Sequence, residues 1–275
     1  MNPARRARIR HAALLAPALT VFAAFWLLPM ARLIAVGGSG PDGYAAYAAI
    51  VTDARYFKSL ESTVVLSALV TTATLVISGI TGLFLQRNRF AGDRLLVAML
   101  TFPLAFPGVV IGFMVILLAG RQGLVGDITN MIAGSRVVFA YSIFGLFLGY
   151  LYFSIPRVIL TIMAAAEKLD PALEEAARSL GASPWKVTRD VIVPGLMPAI
   201  ISSGAICFAT SMGAFGTAFT LATNISVLPI TIYGVFTNYA DFATAASLSI
   251  VLGVFTWLVL SLARSASGSS VAAAA

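Results

Sequence analysis

The chain has 275 residues, of which 59% are hydrophobic and only 11% are charged, and its mean hydropathy is +0.94. Soluble domains carry roughly 25% charged residues, so this composition excludes a soluble globular protein and predicts an integral membrane protein. The formal net charge of +7 would suggest nucleic-acid binding in a soluble chain. Here the basic residues flank apolar runs, so membrane topology explains them and no nucleic-acid partner is expected. One cysteine, Cys207, and one histidine, His11, exclude a disulfide framework and a Cys/His metal cluster.

Six apolar stretches are long enough to cross a bilayer core, which requires about 20 residues per helix. They lie at 12–36, 62–86, 95–118, 137–162, 195–222 and 243–263. The first follows several arginines, but its apolar run is longer than the roughly 7–15 residues of a signal-peptide core. We therefore predict an all-α polytopic membrane protein with six transmembrane helices in one domain, 12–264. A basic N-terminus, 1–11, precedes this domain, and a disordered tail, 265–275, follows it.

The distribution of basic residues predicts the orientation of these spans. All but five of the 18 Lys and Arg residues lie on the side of the membrane that carries both termini. The five on the other side are Arg32, Arg55, Lys58, Arg121 and Arg136. By the positive-inside rule, both termini and the loop 163–194 are expected in the cytoplasm.

The membrane interior lacks the groups that ion-driven transport or catalysis would use. Near the midplanes of the predicted spans there is no Asp, Glu, Lys or His, and Arg157 is expected toward the inner end of the fourth span. Since ionisable residues at depth mark ion pathways and proton relays, a self-sufficient secondary transporter and a membrane enzyme are the less favoured classes. The chain also has no Gly-x-x-x-x-Gly-Lys-Ser/Thr phosphate loop, so the energy for any transport must come from another chain.

Several residues of the spans are candidates for a gate or pathway. They are Pro103, Pro107, Ser211 and Asp241. The two prolines should kink the third span, and most hydroxyl side chains of the fifth and sixth spans are expected to bond back to their own helix. The motifs Gly108-x-x-x-Gly112 and Gly145-x-x-x-Gly149 predict close packing between helices.

The polar loop Asp170–Pro194 lies between two apolar stretches and is the segment best suited to contact a soluble partner. Asp170 followed by Pro171 predicts the start of a helix, with an acceptor side chain at the N-cap and proline at the first position. Gly181 predicts its end. Ser183-Pro184 predicts a second short helix, and Pro194 marks the entry to the fifth span. The loop should therefore form an angled pair of short helices.

The first of these helices is amphipathic. Leu173, Ala176, Ala177 and Leu180 fall on one face, and Glu174 and Arg178 form an i, i+4 pair on the other. Small alanines permit close approach of a partner, and Trp185 offers a large anchor. The alternative is a helix lying on the membrane surface, although such helices favour bulky apolar residues and lysines over alanines and paired glutamates.

The loop also carries a spaced motif. It comprises Glu175, Ala176, Ala177, Gly181, Val191, Ile192, Val193 and Pro194. This pattern resembles the EAA loop of permease subunits in bacterial ABC importers, which have a MetI-like type I fold; Val191 and Val193 replace the Ile and Leu of the family pattern. The resemblance covers about residues 60–264.

The resemblance implies a set of partners. Two permease subunits, the second identical or a paralogue, would form the pathway within the lipid, and two cytoplasmic ATPases would hold ATP and Mg. An extracytoplasmic solute-binding protein would deliver the substrate, and this chain would carry no cofactor. The implied contacts with the ATPase are Glu174, Glu175, Ala176, Ala177, Gly181, Ser183, Pro184, Trp185 and Pro194.

The substrate is less constrained by the residues. The run from 169 to 183 resembles most the spermidine/putrescine branch, and the segment Tyr233–Ser249 is similar to that branch too. This resemblance implies a polyamine-like or other small organic solute. The alternatives are an organophosphonate or other anion, ferric iron or thiamine. Asp241 and Glu61 near the outer surface would attract a cation, whereas the arginines on that side would suit an anion.

Overall fold

The computed structural model describes residues 14–88, 90–221 and 225–267. The predicted basic N-terminus, 1–11, lies outside the described residues, as does the tail beyond residue 267. Residues 265–267 were expected in a disordered tail, but they continue the last helix, Phe242–Ser267.

Throughout the described residues the chain is helical and contains no strand. The helices are α1 Leu14–Gly37, α2 Gly43–Thr52, α3 Ala54–Arg87, α4 Asp93–Thr101, α5 Gly108–Ala119, α6 Leu124–Ala133, α7 Ile143–Ala166, α8 Pro171–Ser179, α9 Pro184–Met212, α10 Gly216–Leu221, α11 Leu228–Asn238 and α12 Phe242–Ser267. Within these residues, six stretches are long and apolar enough to span a membrane, namely α1, α3, α5 with α6, α7, α9 and α12. The prediction of an all-α protein with six transmembrane helices is therefore confirmed.

The third predicted span, 95–118, differs from the structure. Helix α4 ends at Thr101, a 3₁₀ turn covers Phe102–Ala105, and α5 begins at Gly108. Proline removes a backbone N–H and disfavours the α conformation of the residue before it. Phe106, which precedes Pro107, is accordingly extended, with φ −97° and ψ 135°. The two prolines thus break the helix rather than kink it, and the membrane-length stretch is Gly108–Ala133 instead.

The fifth span also differs, because it begins at Pro184 and ends at Met212. The predicted second short helix of the loop is its first turn, and Pro194 lies inside the helix rather than at its entry. A proline in this position removes an i to i−4 bond and crowds the preceding turn. A π-helical turn at Thr188–Ile192 directly precedes it, and this local widening accommodates the proline without a break.

The described chain divides into two compact units, 14–57 with 232–253 and 58–231 with 254–267. In the first unit, α1 meets α2 through Tyr47, whose hydroxyl donates to the carbonyl of Ile34 at 2.7 Å. A Cβ added at Gly37 would lie 2.5 Å from that hydroxyl and 3.2 Å from the amide nitrogen of Ser247. The end of α1 therefore packs closely against α2 and α12 within this unit.

In the second unit, hydroxyl residues follow one buried face of α3. They are Ser59, Thr63, Ser67, Thr74 and Ser78. Ser78 donates to the carbonyl of Ile155 at 3.2 Å, and Thr63 accepts a bond from the amide of Leu228 at 2.8 Å. These bonds join α3 to α7 and to the start of α11, since small hydroxyl side chains allow close helix contact and hydrogen-bond across it.

The glycine motifs act in packing within this unit. A Cβ added at Gly112 would lie 2.6 Å from the Cβ of Thr220, and one at Gly149 would lie 2.8 Å from Cγ2 of Thr217. Helix α10 therefore rests directly on the backbones of α5 and α7. At the first residue of the second motif, Gly145, an added Cβ would instead clash with the carbonyl oxygen of Ala140 in the preceding loop.

This packing predicts that Gly112→Ala destabilises the protein by about 1–3 kcal/mol, since the added methyl group would overlap Thr220. Gly79→Ala is the matched control, because a Cβ there has nothing within 4 Å and alanine is the better helix former. The thermal unfolding midpoint of the purified chain in detergent should fall for the first variant alone. Equal midpoints for the two variants would contradict close contact between α5 and α10.

Candidate functional site

We call residues Asp170–Val187 the knob. As predicted, Asp170 caps α8, and its Oδ1 accepts a bond from the amide of Ala172 at 2.9 Å. At the other end, the amide of Ala182 donates to the carbonyl of Ala177 at 3.1 Å, and that of Gly181 to Arg178 at 2.9 Å. This pair of bonds is the Schellman pattern, which requires a left-handed residue. Gly181 supplies it with φ +82°.

The second helix of the knob is capped in the same way. The Ser183 side chain accepts a bond from the amide of Lys186 at 3.4 Å, and Pro184 occupies the first helical position. Because side chains fix both helix starts and a glycine fixes the turn, the angle between α8 and α9 is determined locally. The knob is therefore a rigid extension of α9 rather than a loose loop.

The apolar residues of the knob are largely exposed. Leu173, Leu180 and Trp185 are 59%, 89% and 72% exposed, and Ala176 is exposed beside them. Ala177, predicted on the same face, instead turns inward and packs against the core of the unit. Exposed apolar side chains on a polar segment are a feature of surfaces that bind a protein partner.

The two glutamates of the knob have different surroundings. Glu174 accepts hydrogen bonds from Arg87 at the end of α3 and from Arg178, the latter at 3.5 Å. Its side chain is only 13% exposed. The predicted pair with Arg178 is confirmed, whereas the contact with Arg87 was missed because the two residues are 87 positions apart. Glu174 thus binds the knob to α3, while Glu175 is exposed.

This ion pair predicts that Arg87→Gln loosens α8. The pair is partly exposed, so its loss should cost about 1 kcal/mol, which raises hydrogen exchange of the α8 amides roughly fivefold. Arg178→Gln is the control, since it removes the longer of the two contacts. Exchanging the partners, Arg87→Glu with Glu174→Arg, should restore protection. Unchanged exchange in Arg87→Gln, or no recovery on exchange of the partners, would contradict this anchoring.

The break between α4 and α5 borders a cavity of about 290 Å³. Its walls include Pro103, Phe106, Gly108, Arg157, Thr210 and Thr217. The Thr217 hydroxyl donates to the carbonyl of Gly108 at 2.9 Å, and that of Thr220 to the carbonyl of Val109 at 3.3 Å. Helix α10 therefore closes one side of the break. Of the two predicted gate prolines, Pro103 is buried in the wall, and Pro107 is exposed at the N-cap of α5.

Arg157 lies in the half of its span that is nearer to the knob. At about 1.5 Å per residue, it is roughly 15 Å from the end of the span at Glu167 and roughly 21 Å from its start at Ile143. It is exposed in the described structure, and its side chain lines the cavity. Within the described residues, no carboxylate forms an ion pair with it.

The other predicted pathway residues lie outside this cavity lining. Ser211 is buried, and its hydroxyl has no hydrogen-bond partner among the described residues. Neighbouring hydroxyls of α9, such as Ser203 and Thr210, bond to carbonyls of their own helix, as expected. Asp241 caps α12, and the hydrogen bonds it receives from Thr244 lower the pKa of its carboxyl. Capping of α12 therefore explains why an aspartate occupies position 241.

The part of the chain that the structure describes thus contains six stretches long and apolar enough to span a membrane, a capped polar knob and a cavity at a helix break. The family model described as "Binding-protein-dependent transport system inner membrane component" matches residues 75–267, which is more than half of the chain. The chain therefore belongs to this family. It is a multi-pass inner-membrane component of a transporter and not an enzyme.

Among curated proteins, the chain is similar to the molybdenum transport system permease protein ModB of Escherichia coli K12, with 36% identity over 141 residues. That match spans 51% of this chain and 61% of ModB. The sulfate transport system permease protein CysT of the same organism is 30% identical over 244 residues, 86% of this chain and 85% of CysT. A bacterial alginate ABC transporter, solved with an alginate pentasaccharide-bound periplasmic protein, has the same fold, with a TM-score of 0.80 at 18% identity over 94% of this chain and 93% of that chain.

The assignment to a spermidine/putrescine branch is wrong, because these relatives are molybdenum and sulfate permeases. The predicted MetI-like ABC permease fold is confirmed. The resemblance to that branch was based on residues 169–183, which lie in and next to the knob, and on Tyr233–Ser249. None of these residues lines the cavity in the described structure.

Proposed function

We propose that this chain is the permease subunit of an ATP-driven importer for a tetrahedral oxyanion of the molybdate or sulfate class. The observation that carries the proposal is Arg157, which lines a cavity and forms no ion pair with any carboxylate of the described residues. An isolated positive charge attracts an anion and repels a polyamine or a metal cation. The similarity to permeases named for molybdenum and sulfate supports the same substrate class.

The remaining subunits follow from the family. A solute-binding protein delivers the oxyanion, two cytoplasmic ATPases supply the energy, and a second permease subunit completes the pathway. This second subunit is identical or a paralogue. The family description, which names a binding-protein-dependent system, supports the first of these partners. ATP and Mg belong to the ATPase subunits.

We propose that the knob is the coupling element. Leu180 and Trp185 enter a cleft on the ATPase, Ala176 permits close approach, and Glu175 faces the partner. Large, exposed aromatic residues of this kind are typical anchors of protein interfaces. The excess of basic residues on the same side of the membrane supports a cytoplasmic position for the knob and for both termini.

The transmission of movement follows from the continuity of the helices. Ser183 and Pro184 start the same helix that crosses the membrane as α9, and Pro194 lies within it. A displacement of the knob therefore moves the fifth span directly. The ion pair of Glu174 with Arg87 carries the same displacement to α3, the second span. Closure of the ATPases would thus act on two spans through one rigid element.

This coupling role predicts that Gly181→Asp abolishes ATP-driven transport while the protein remains in the membrane, since aspartate strains the left-handed turn and adds a charge to the docking surface. Gly134→Asp is the matched control. Gly134 also follows a helix with a left-handed φ, +66°, and a Cβ at either glycine has nothing within 4 Å. Uptake into vesicles should be lost in the first variant and retained in the second. Equal uptake by both would contradict a special role for the knob.

The substrate class is tested with the complete transporter. The tagged chain, purified from its native membrane with the subunits that co-elute, is reconstituted in vesicles with its binding protein and ATP. Labelled sulfate or molybdate should accumulate, and labelled spermidine should not. Accumulation of spermidine without either oxyanion would overturn the substrate assignment. Uphill uptake by the isolated chain without ATPase subunits would overturn the permease assignment itself.

A further inference from the structure

We infer that Arg157 binds the oxyanion during its passage through the membrane, in the cavity beside the break between α4 and α5. The inference rests on the proposed function and assigns its transport step to one side chain. Permeation sites require an interaction strong enough to admit the ion and weak enough to release it. A single arginine in an open cavity meets both conditions.

The position of Arg157 is costly unless an anion compensates it. Charged groups within the bilayer are expensive, and those that occur face cavities or partners and mark ion or substrate pathways. Arg157 faces a cavity, and the described part of the chain provides no carboxylate to pair with it. Its guanidinium fork matches two oxygens of a tetrahedral oxyanion, which a lysine ammonium would contact only as a point charge.

A second positive feature lies in the same wall. Helix α5 has 12 residues and begins at Gly108, which lines the cavity. The first amides of a helix have no intrahelical acceptor and carry about half a positive charge. Gly108 packs against α10, where a Cβ added to it would lie 3.0 Å from Oγ1 of Thr217. The Gly108 carbonyl already accepts a hydrogen bond from the Thr217 hydroxyl at 2.9 Å. This carbonyl therefore does not compete with an anion for the guanidinium of Arg157.

The size of the cavity agrees with a small inorganic anion. Its volume of about 290 Å³ lies at the lower end of the range of roughly 300–1,000 Å³ found for sites of drug-sized ligands. One guanidinium neutralises one of the two charges of sulfate or molybdate. The bound dianion therefore keeps a net negative charge, which allows it to leave when the spans move.

The first test is uptake by the complete reconstituted transporter. Arg157→Gln should lower the rate of sulfate or molybdate uptake at least about tenfold, because it removes the charged partner of the oxyanion in the cavity. Arg157→Lys keeps the charge and should retain more uptake than the glutamine variant. Arg94→Gln is the matched control, since it removes an exposed arginine of α4 that does not line the cavity, and its rate should equal that of the wild type.

The second test detects occupancy directly. Thr210 lines the cavity, and the native Cys207 is buried, so Thr210→Cys in a Cys207→Ala background places one reactive thiol beside Arg157. Sulfate or molybdate should slow its modification by a charged thiol reagent when Arg157 is present. Chloride and spermidine should not slow it, and Arg157→Gln should abolish the protection.

The outcomes separate this inference from the proposed function. If the wild type accumulates oxyanion and Arg157→Gln does so at the same rate, the inference is overturned and the proposed function stands. If oxyanion gives no protection and Arg157→Gln loses the second permease subunit on purification, Arg157 instead pairs with a carboxylate of that subunit. If the wild type accumulates no oxyanion, the proposed substrate class is overturned before Arg157 is considered.

Discussion

The structure depends on the requirement that every backbone amide and carbonyl within lipid find a partner inside the protein. Irregular backbone at membrane depth is tolerated only where protein or a cavity surrounds it. Pro103 and Pro107 separate α4 from α5 just before the membrane-length stretch Gly108–Ala133 begins, and α10 packs there with hydrogen bonds from Thr217 and Thr220 to the first carbonyls of α5. The cavity that Arg157 lines borders this break.

The same constraint explains why the knob is stiff. An element that transmits movement from a soluble partner to membrane-spanning helices must be stiff, because a flexible joint would absorb the movement. Here the joint is reduced to one glycine turn closed by two backbone bonds, and the helix after it continues into the fifth span. The π-helical turn before Pro194 preserves this continuity where a proline would otherwise interrupt it. Glu174 adds a second connection, to the end of the second span through Arg87.

The sequence predicted well what depends on neighbouring residues. Asp170, Gly181 and Ser183 were assigned correctly as helix boundaries, since caps act within four residues of themselves. It predicted poorly how prolines act in long helices: Pro103 and Pro107 break a span that was expected to bend, and Pro194 is absorbed by a helix that was expected to start there. The outcome depends on whether surrounding helices can satisfy or accommodate the freed groups, which a linear pattern does not contain.

By itself the sequence determined the class of protein, the number of spans and the residues that shape the knob, because hydropathy, helix periodicity and capping are local properties. The tertiary structure alone decided which glutamate anchors the knob and which side chain faces the cavity. Arg87 meets Glu174 across 87 positions, and Thr217 meets Gly108 across 109. In the sequence, Arg157 is one arginine toward the end of a predicted span. In the structure it lines a cavity beside a helix break, and no carboxylate of the described residues forms an ion pair with it. Contacts between distant residues are fixed by packing, and packing is decided only when all the helices are in place.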